Sequence, residues 1–117
     1  MPMTPADYDG AVPIDGYGPG FIRFGGQVHY GAVLIHEGHA APWGGLDDLA
    51  ALIALGGKVD LLLLGLGAEM GRVSEELLDA CEAVDLRVEA MATPPAARGY
   101  NVMLTEGRRV AVALLPV

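Results

Sequence analysis

The chain is short of cysteine, lysine and long apolar runs, and each shortage excludes a class of protein. The one cysteine, Cys81, excludes an internal disulfide framework and favours a reducing compartment. Seven basic side chains, of which only one is a lysine, stand against 15 acidic ones, and the formal charge is −8. Because a duplex-binding surface needs clustered basic side chains, nucleic acid is not an expected partner.

Membrane and targeting patterns are also missing from the sequence. The most apolar stretch, residues 61–68, is far shorter than the roughly 20 residues of a spanning helix. Residues 1–10 have neither the basic and apolar regions of a secretory signal nor the arginine-rich pattern of a mitochondrial transit peptide. We therefore expect no direct membrane insertion, and we expect the protein in a bacterial cytoplasm.

What is present is enough apolar material for one folded core. The 117 residues are 52% hydrophobic, which predicts a single domain and excludes disorder of the chain as a whole. Prolines and aspartates dominate residues 1–20, which are predicted to form an extended arm. The predicted boundaries are a loose N-terminal arm at 1–11 and one domain at 12–117.

Strand and helix patterns alternate along the domain. Two β-prone runs flank Gly25 and Gly26 and predict a tight hairpin, because glycine accepts the positive φ of primed turns. Three helices are predicted: one around 46–53, one capped by Ser74, and one over 94–106 capped by Thr93. The remaining predicted elements are extended runs at 32–36, 59–64, 86–91 and 110–115, a loop at 37–45, and a buried stripe of Leu77, Leu78, Cys81 and Val84 on the second helix.

This order predicts a layered α/β fold. An N-terminal β-hairpin precedes alternating strands and helices, and the helices are expected to cover a central mixed sheet in a single three-layer domain. The continuous apolar runs at 59–64 and 110–115 are typical of strands buried on both faces. If the strand at 110–115 is outermost, it leaves an edge for self-pairing. A monomer or a weak homo-oligomer is expected.

The sequence does not match the familiar catalytic and cofactor-binding motifs. The turn at 65–71 is one residue too long for a dinucleotide fingerprint, and it lacks the lysine of a phosphate loop. The three histidines, His29, His36 and His39, lack a cysteine partner or a helical metal-binding frame. The only serine, Ser74, is better used as a helix cap. No catalytic residue, metal ligand or cofactor is predicted, and the chain is not expected to be an enzyme.

A group of glycine, polar and aromatic residues near the predicted strand ends is the candidate site. Because ligands of α/β folds collect beyond the carboxyl ends of strands, we expect a crevice or a docking surface there. Tyr and Arg are also enriched at binding hot spots. Within this group, Glu106 is expected to form an ion pair with Arg108 or Arg109. The candidate residues are Gly65, Gly67, Met91, Thr93, Arg98, Tyr100, Asn101, Glu106 and Arg108.

Residues 91–114 (MATPPAARGYNVMLTEGRRVAVAL) resemble the C-terminal signature of the Mth-type domain of unknown function family. Residues 14–21 (IDGYGPGF), Trp43 and residues 62–67 (LLLGLG) match the family in the same order, so that the resemblance covers about 12–117. The family includes mitochondrial respiratory complex I assembly factor 3 and the adipogenesis-associated Mth domain-containing protein. The resemblance implies a three-layer α/β domain and no established enzyme activity. Leu66, Ala92 and Gly99 replace more polar residues of the family pattern, which further disfavours catalysis.

Two functions follow from this reading. The first is a non-enzymatic interaction or assembly module with unidentified protein partners; the resemblance implies a link to respiratory complex assembly, because mitochondrial members act through partner proteins. The alternative is a small-molecule-binding protein or an enzyme of unrecognised type that uses the crevice near Gly65–Gly67 and Met91–Arg98.

Overall fold

Two β-sheets and three α-helices make up the part of the chain that the computed structural model describes, residues 11–117. The predicted arm at 1–11 lies outside it except for its last residue. The strands are β1 (Ile14–Gly18), β2 (Phe21–Phe24), β3 (Gln27–Tyr30), β4 (Val33–His36), β5 (His39–Pro42), β6 (Leu61–Leu66), β7 (Arg87–Met91) and β8 (Val110–Leu115). The helices are α1 (Leu49–Ile53), α2 (Glu75–Ala83) and α3 (Thr93–Thr105).

A five-stranded mixed sheet forms the middle layer, in the order β5-β4-β8-β6-β7. Strands β6 and β8 are parallel to each other and buried over almost their whole length, as their continuous apolar runs predict. Strand β7 runs parallel to β6, while β4 is antiparallel to both β8 and β5. The predicted α/β fold with a central mixed sheet is confirmed. Strand β8 lies at the centre of the sheet, so the self-pairing edge that an outermost strand at 110–115 would have left does not arise.

A second sheet covers part of one face of the central sheet. Its three antiparallel strands follow the order β1-β2-β3, and the predicted hairpin forms with φ of 58° at Gly25 and 78° at Gly26. Strand β1 was not predicted, because residues 1–20 show no apolar alternation and were expected to be an arm. The strand forms because β2 supplies its main-chain partners and the core takes up Ile14.

A second hairpin replaces most of the loop that was predicted at 37–45. Glu37 and Gly38 form its two-residue turn with φ of 51° and 76°, and β5 then pairs with β4. The sequence gives little indication of this hairpin, because glutamate rarely adopts the left-handed conformation that the turn requires and because Pro42 argues against a strand. Proline is tolerated here since β5 is the outermost strand.

The helices divide into two groups around the central sheet. Helices α1 and α2 pack against one face with Trp43, while α3 shares the other face with the three-stranded sheet. The predicted cap of α2 is confirmed, since the Ser74 hydroxyl accepts a hydrogen bond from the Leu77 N–H at 3.1 Å. The predicted buried stripe is wrong at Leu78, which is 42% exposed.

Candidate functional site

Thr93 occupies the position where the candidate crevice was expected. Its side chain is fully buried, and its hydroxyl donates to the Leu115 carbonyl at 2.6 Å and accepts from the Gly67 N–H at 2.9 Å. Its own N–H donates to the Gly67 carbonyl at 2.7 Å. The hydroxyl therefore joins the ends of β6 and β8 to the start of α3. The predicted capping role is wrong, because Ala92 is the N-cap residue and no side chain caps α3.

Glycines make this junction possible. A Cβ atom on Gly65 would lie 2.6 Å from Leu114 Cδ2 and 2.8 Å from the Thr93 hydroxyl, so only glycine fits without displacement. Gly67 has a φ of 97°, which side-chain-bearing residues rarely adopt. Both glycines are buried. The chain's own polar atoms are thus paired with one another where the sequence predicted a crevice or a docking surface.

Tyr100 and Asn101 also lie inside the molecule rather than on its surface. Asn101 accepts the Ile14 N–H and donates to the Ile14 carbonyl, each at 2.8 Å, and so continues the main-chain pairing of β1 from a helix. Tyr100 is 1% exposed, and burial raises the pKa of its phenol to about 12. Neither side chain offers area to a partner, so this part of the predicted docking surface is wrong.

The remaining candidate residues are divided between the core and the solvent. Met91 is half-buried and packs against the core beneath α3. Arg98, Glu106 and Arg108 are exposed. The expected pairing of Glu106 is absent within residues 11–117. Instead Arg109 donates to Asp60 at 2.7 Å, and this hydrogen bond lowers the pKa of the Asp60 carboxyl.

One face of α3 brings three exposed side chains together. Arg98, Val102 and Glu106 recur at intervals of four residues and therefore lie along the same side of the helix. Val102, which the sequence reading did not single out, is 56% exposed although it is apolar. Arg108 follows the helix, and its main-chain N–H donates to the Met103 carbonyl at 3.1 Å. We call Arg98, Val102, Glu106 and Arg108 the α3 face.

Two shallow grooves lie away from the α3 face. One, of about 360 Å³, runs between the two hairpins and includes His29, His39 and Gln27 in its lining. The other, of about 320 Å³, lies between α2 and β7, and we call it the α2–β7 groove. Leu78, Glu82, Asp85, Leu86, Arg87 and Val88 line the α2–β7 groove.

Three further observations concern metal ligands, the cysteine and membrane-spanning helices. Within the described ranges, no group of three or more His, Cys, Asp or Glu side chains is arranged to hold a metal ion. Cys81 lies on α2 and is buried in the core, as the sequence predicts, and burial raises the pKa of its thiol. No helix in residues 11–117 is long and apolar enough to cross a membrane.

Comparison with known protein families shows which family this chain belongs to. A family model described as a protein of unknown function (DUF498/DUF598) matches residues 14–115, which include both sheets and all three described helices. The chain belongs to this family. The Mth-type resemblance carried by residues 91–114 is confirmed, since solved relatives of this DUF498/DUF598 chain include an Mth938-like domain.

Among proteins, an uncharacterized protein of Rhodobacter capsulatus is 56% identical over 117 residues, covering 98% of this DUF498/DUF598 chain and 94% of that protein. NADH dehydrogenase (ubiquinone) 1 alpha subcomplex assembly factor 3 of Danio rerio is 31% identical over 71 residues. That match covers 61% of this chain but only 41% of the assembly factor. The chain therefore spans about two fifths of the assembly factor's length, and their similarity is distant.

Among structures, a protein of Bartonella henselae described as an outer membrane protein has a TM-score of 0.82 and 30% identity, covering 95% of this chain and 99% of that one. The Mth938-like domain of Bordetella pertussis has a TM-score of 0.76 and 27% identity, covering 99% of this chain and 91% of that one. Both structures share the fold over nearly the whole of this chain.

Proposed function

We propose that this chain is a non-enzymatic interaction module that takes part in assembling a respiratory NADH dehydrogenase through a protein partner, in the bacterial cytoplasm. The observation that carries the proposal is the 31% identity with the assembly factor of Danio rerio. The single buried cysteine supports a reducing compartment. The protein acts as a monomer or a weak homo-oligomer that presents a docking surface to its partner.

The α3 face is the proposed docking surface. Val102 supplies an exposed apolar centre, Arg98 and Glu106 lie four residues to either side of it, and Arg108 adds a further exposed charge just beyond the helix. An apolar centre with a polar rim is the usual anatomy of a protein–protein interface. Arginine is also enriched among residues that dominate binding energy. Because α3 is fixed through Thr93 and Asn101, the face is held rigidly on the domain.

The alternative function, a small-molecule or enzymatic site at Gly65–Gly67 and Met91–Arg98, has less support. A ligand there would compete with the hydrogen bonds that Thr93 makes to Gly67 and Leu115. Breaking buried hydrogen bonds without replacement costs about 1–3 kcal/mol for each group left unpaired.

The test is complementation in Rhodobacter capsulatus after deletion of its 56%-identical relative. The wild-type chain is expected to restore assembled NADH dehydrogenase on native gels and NADH oxidation by membranes. The double variant Arg98→Glu with Val102→Asp is expected to fail, although it folds as stably as the wild type.

A matched control comes from the three-stranded sheet. Arg23→Glu with Val28→Asp makes the same pair of changes at cross-strand neighbours, and Val28 is 37% exposed. This control is expected to complement fully. Normal dehydrogenase in the deletion strain, or equal complementation by both double variants, would contradict the proposal.

A further inference from the structure

We propose that the outer edge of β7 and the α2–β7 groove bind an extended, lysine- or arginine-rich segment of a partner protein, which joins the central sheet as a sixth strand. This surface is distinct from the α3 face and does not depend on the function proposed for that face. The features that favour such a partner are the open edge of β7, the groove beside it, the charge of α2 and the conformation of Asp85.

Strand β7 is the last strand of the central sheet. Within residues 11–117 it pairs with β6 on one side and with no strand on the other. The main-chain groups on that outer side can therefore pair with an added strand, which is a recurrent mode of peptide recognition. Arg87 and Glu89 are exposed along β7, whereas Val88 between them turns towards the core beside α2.

The α2–β7 groove runs beside this edge and offers apolar contact. Leu78 is 42% exposed on α2, and the groove continues from it to Leu86 and Val88. An added strand places alternate side chains on the same side of the sheet as α2. One apolar side chain of the incoming segment can thus pack against Leu78, while its neighbours along the strand point to the other face of the sheet.

The charge of α2 specifies a basic partner. Every charged residue of α2 is acidic, and the helix holds no lysine, arginine or histidine. Asp85, directly beyond the helix, adds a further carboxylate at the groove, so that Glu82 and Asp85 outnumber Arg87, the one basic side chain of the lining. The acidic residues are Glu75, Glu76, Asp79, Glu82 and Asp85. An acidic segment would be repelled from this groove, whereas a segment with lysine or arginine side chains would be attracted.

Asp85 keeps a conformation that glycine would adopt more easily. Its φ is 57°, and its N–H donates to the Glu82 carbonyl at 2.9 Å while the Leu86 N–H donates to the Cys81 carbonyl at 2.9 Å. This is the hydrogen-bond pattern of a helix end at which glycine is the common residue. A carboxylate in that strained position, at the groove, points to a role in binding rather than in stability.

A second copy of this chain is a poorer occupant of the same edge. A two-fold pairing of two β7 strands could place Arg87 opposite Glu89. The continued sheet would, however, bring both α2 helices to the same face, where their carboxylates repel one another. The formal charge of −8 on each copy adds to that repulsion. A basic partner removes the repulsion, and it is therefore the occupant that the charges favour.

The test is selection of phage-displayed random decapeptides on the full-length chain, followed by affinity measurement with synthetic copies of the selected peptides, which we call the winners. We expect winners with basic residues at alternate positions, and we expect their binding to shift the amide resonances of β7. Replacing two adjacent central residues of a selected peptide by proline should abolish binding, because one of their two N–H groups faces β7 and proline cannot donate a main-chain hydrogen bond. Winners that lack basic residues, that bind elsewhere, or that do not emerge above background would overturn the proposal.

Matched variants separate the role of the groove from folding and from overall charge. Asp85→Gly is expected to weaken peptide binding roughly three- to tenfold, as loss of one nearby charge implies, without lowering stability towards urea. Glu37→Gly removes the same charge from the other non-glycine residue with positive φ in the described part of the chain, residues 11–117. Glu37 lies in the β4–β5 turn, far from Asp85 in the sequence, and its replacement should leave affinity unchanged.

The apolar contact has its own pair of variants. Leu78→Ser should weaken peptide binding, whereas Val102→Ser, on the α3 face, should not. Equal affinities of Asp85→Gly and Glu37→Gly would overturn the proposal, as would a dimer with protected β7 amides in solution. Because these assays use purified chain and peptide, their failure is distinguishable from failed complementation through the α3 face.

Discussion

Replacing Thr93 by valine tests whether the buried hydroxyl holds the strand ends and α3 together. Valine has nearly the same shape as threonine but cannot hydrogen-bond. The change therefore leaves the volume of the junction intact and removes the bonds to Gly67 and Leu115. The core packing around the side chain, which is fully buried, is preserved.

The expected loss of stability follows from the atoms left behind. The Gly67 N–H becomes an unpaired donor in a buried position, which costs about 1–3 kcal/mol. The Leu115 carbonyl, which is only half-buried, loses a hydrogen bond worth about 1 kcal/mol. Together these give an expected decrease of about 2–4 kcal/mol in the free energy of unfolding, a large share of the stability of an ordinary domain.

Urea unfolding, followed by far-ultraviolet circular dichroism, measures this decrease. Thr105→Val is the matched control on the same helix, because the exposed Thr105 hydroxyl donates only to the nearby Val102 carbonyl at 2.6 Å. The control is expected to change stability by less than about 0.5 kcal/mol. A Thr93→Val variant as stable as the Thr105→Val variant would refute the reasoning that the junction depends on this hydroxyl.

Two further predictions concern close packing and titration. Gly65→Ala is expected to destabilise by about 1–3 kcal/mol in urea unfolding, because its Cβ would lie 2.6 Å from a leucine side-chain carbon; Gly71→Ala, whose Cβ would meet nothing within 3.7 Å, should be nearly neutral, and equal effects would contradict the packing argument. Burial raises the pKa of Tyr100 to about 12, so its contribution to stability is complete below pH 10 and is lost as the pH rises towards 12. We expect the wild type to lose about 2 kcal/mol more than Tyr100→Phe over that interval, in unfolding curves recorded at each pH; parallel curves would show that the phenol is not buried in solution.

The parts of the fold that could be predicted from the sequence are those in which local pattern and burial agree. The apolar runs of β6 and β8 identify strands covered on both faces, and Ser74 marks the start of α2 by its capping chemistry. Strands β1 and β5 could not be predicted in this way. Their residues lack apolar alternation, and they become strands because neighbouring β2 and β4 provide main-chain partners.

For the candidate site, prediction from the sequence is limited in a different way. The sequence directs attention to Gly65, Gly67 and Thr93, because glycines next to a strand end permit a close approach. It does not show which group approaches them, and in the structure that group is the hydroxyl of Thr93. Val102 was missed for the opposite reason, since apolar helix residues are usually buried and only the packing of α3 shows that this one is exposed.

The central position of β8 has a consequence for how the chain folds. Strands β4 and β6 are not paired with each other, and the β4–β5 pair is joined to the β6–β7 pair only through β8, which follows them late in the sequence. A nascent chain that has emerged from the ribosome only as far as residue 109 cannot close the middle layer. Contacts between segments so distant in sequence are associated with slow folding. During synthesis the apolar strands β4 and β6 therefore stay without their common neighbour, and this interval is when the chain is most exposed to aggregation and to chaperone binding.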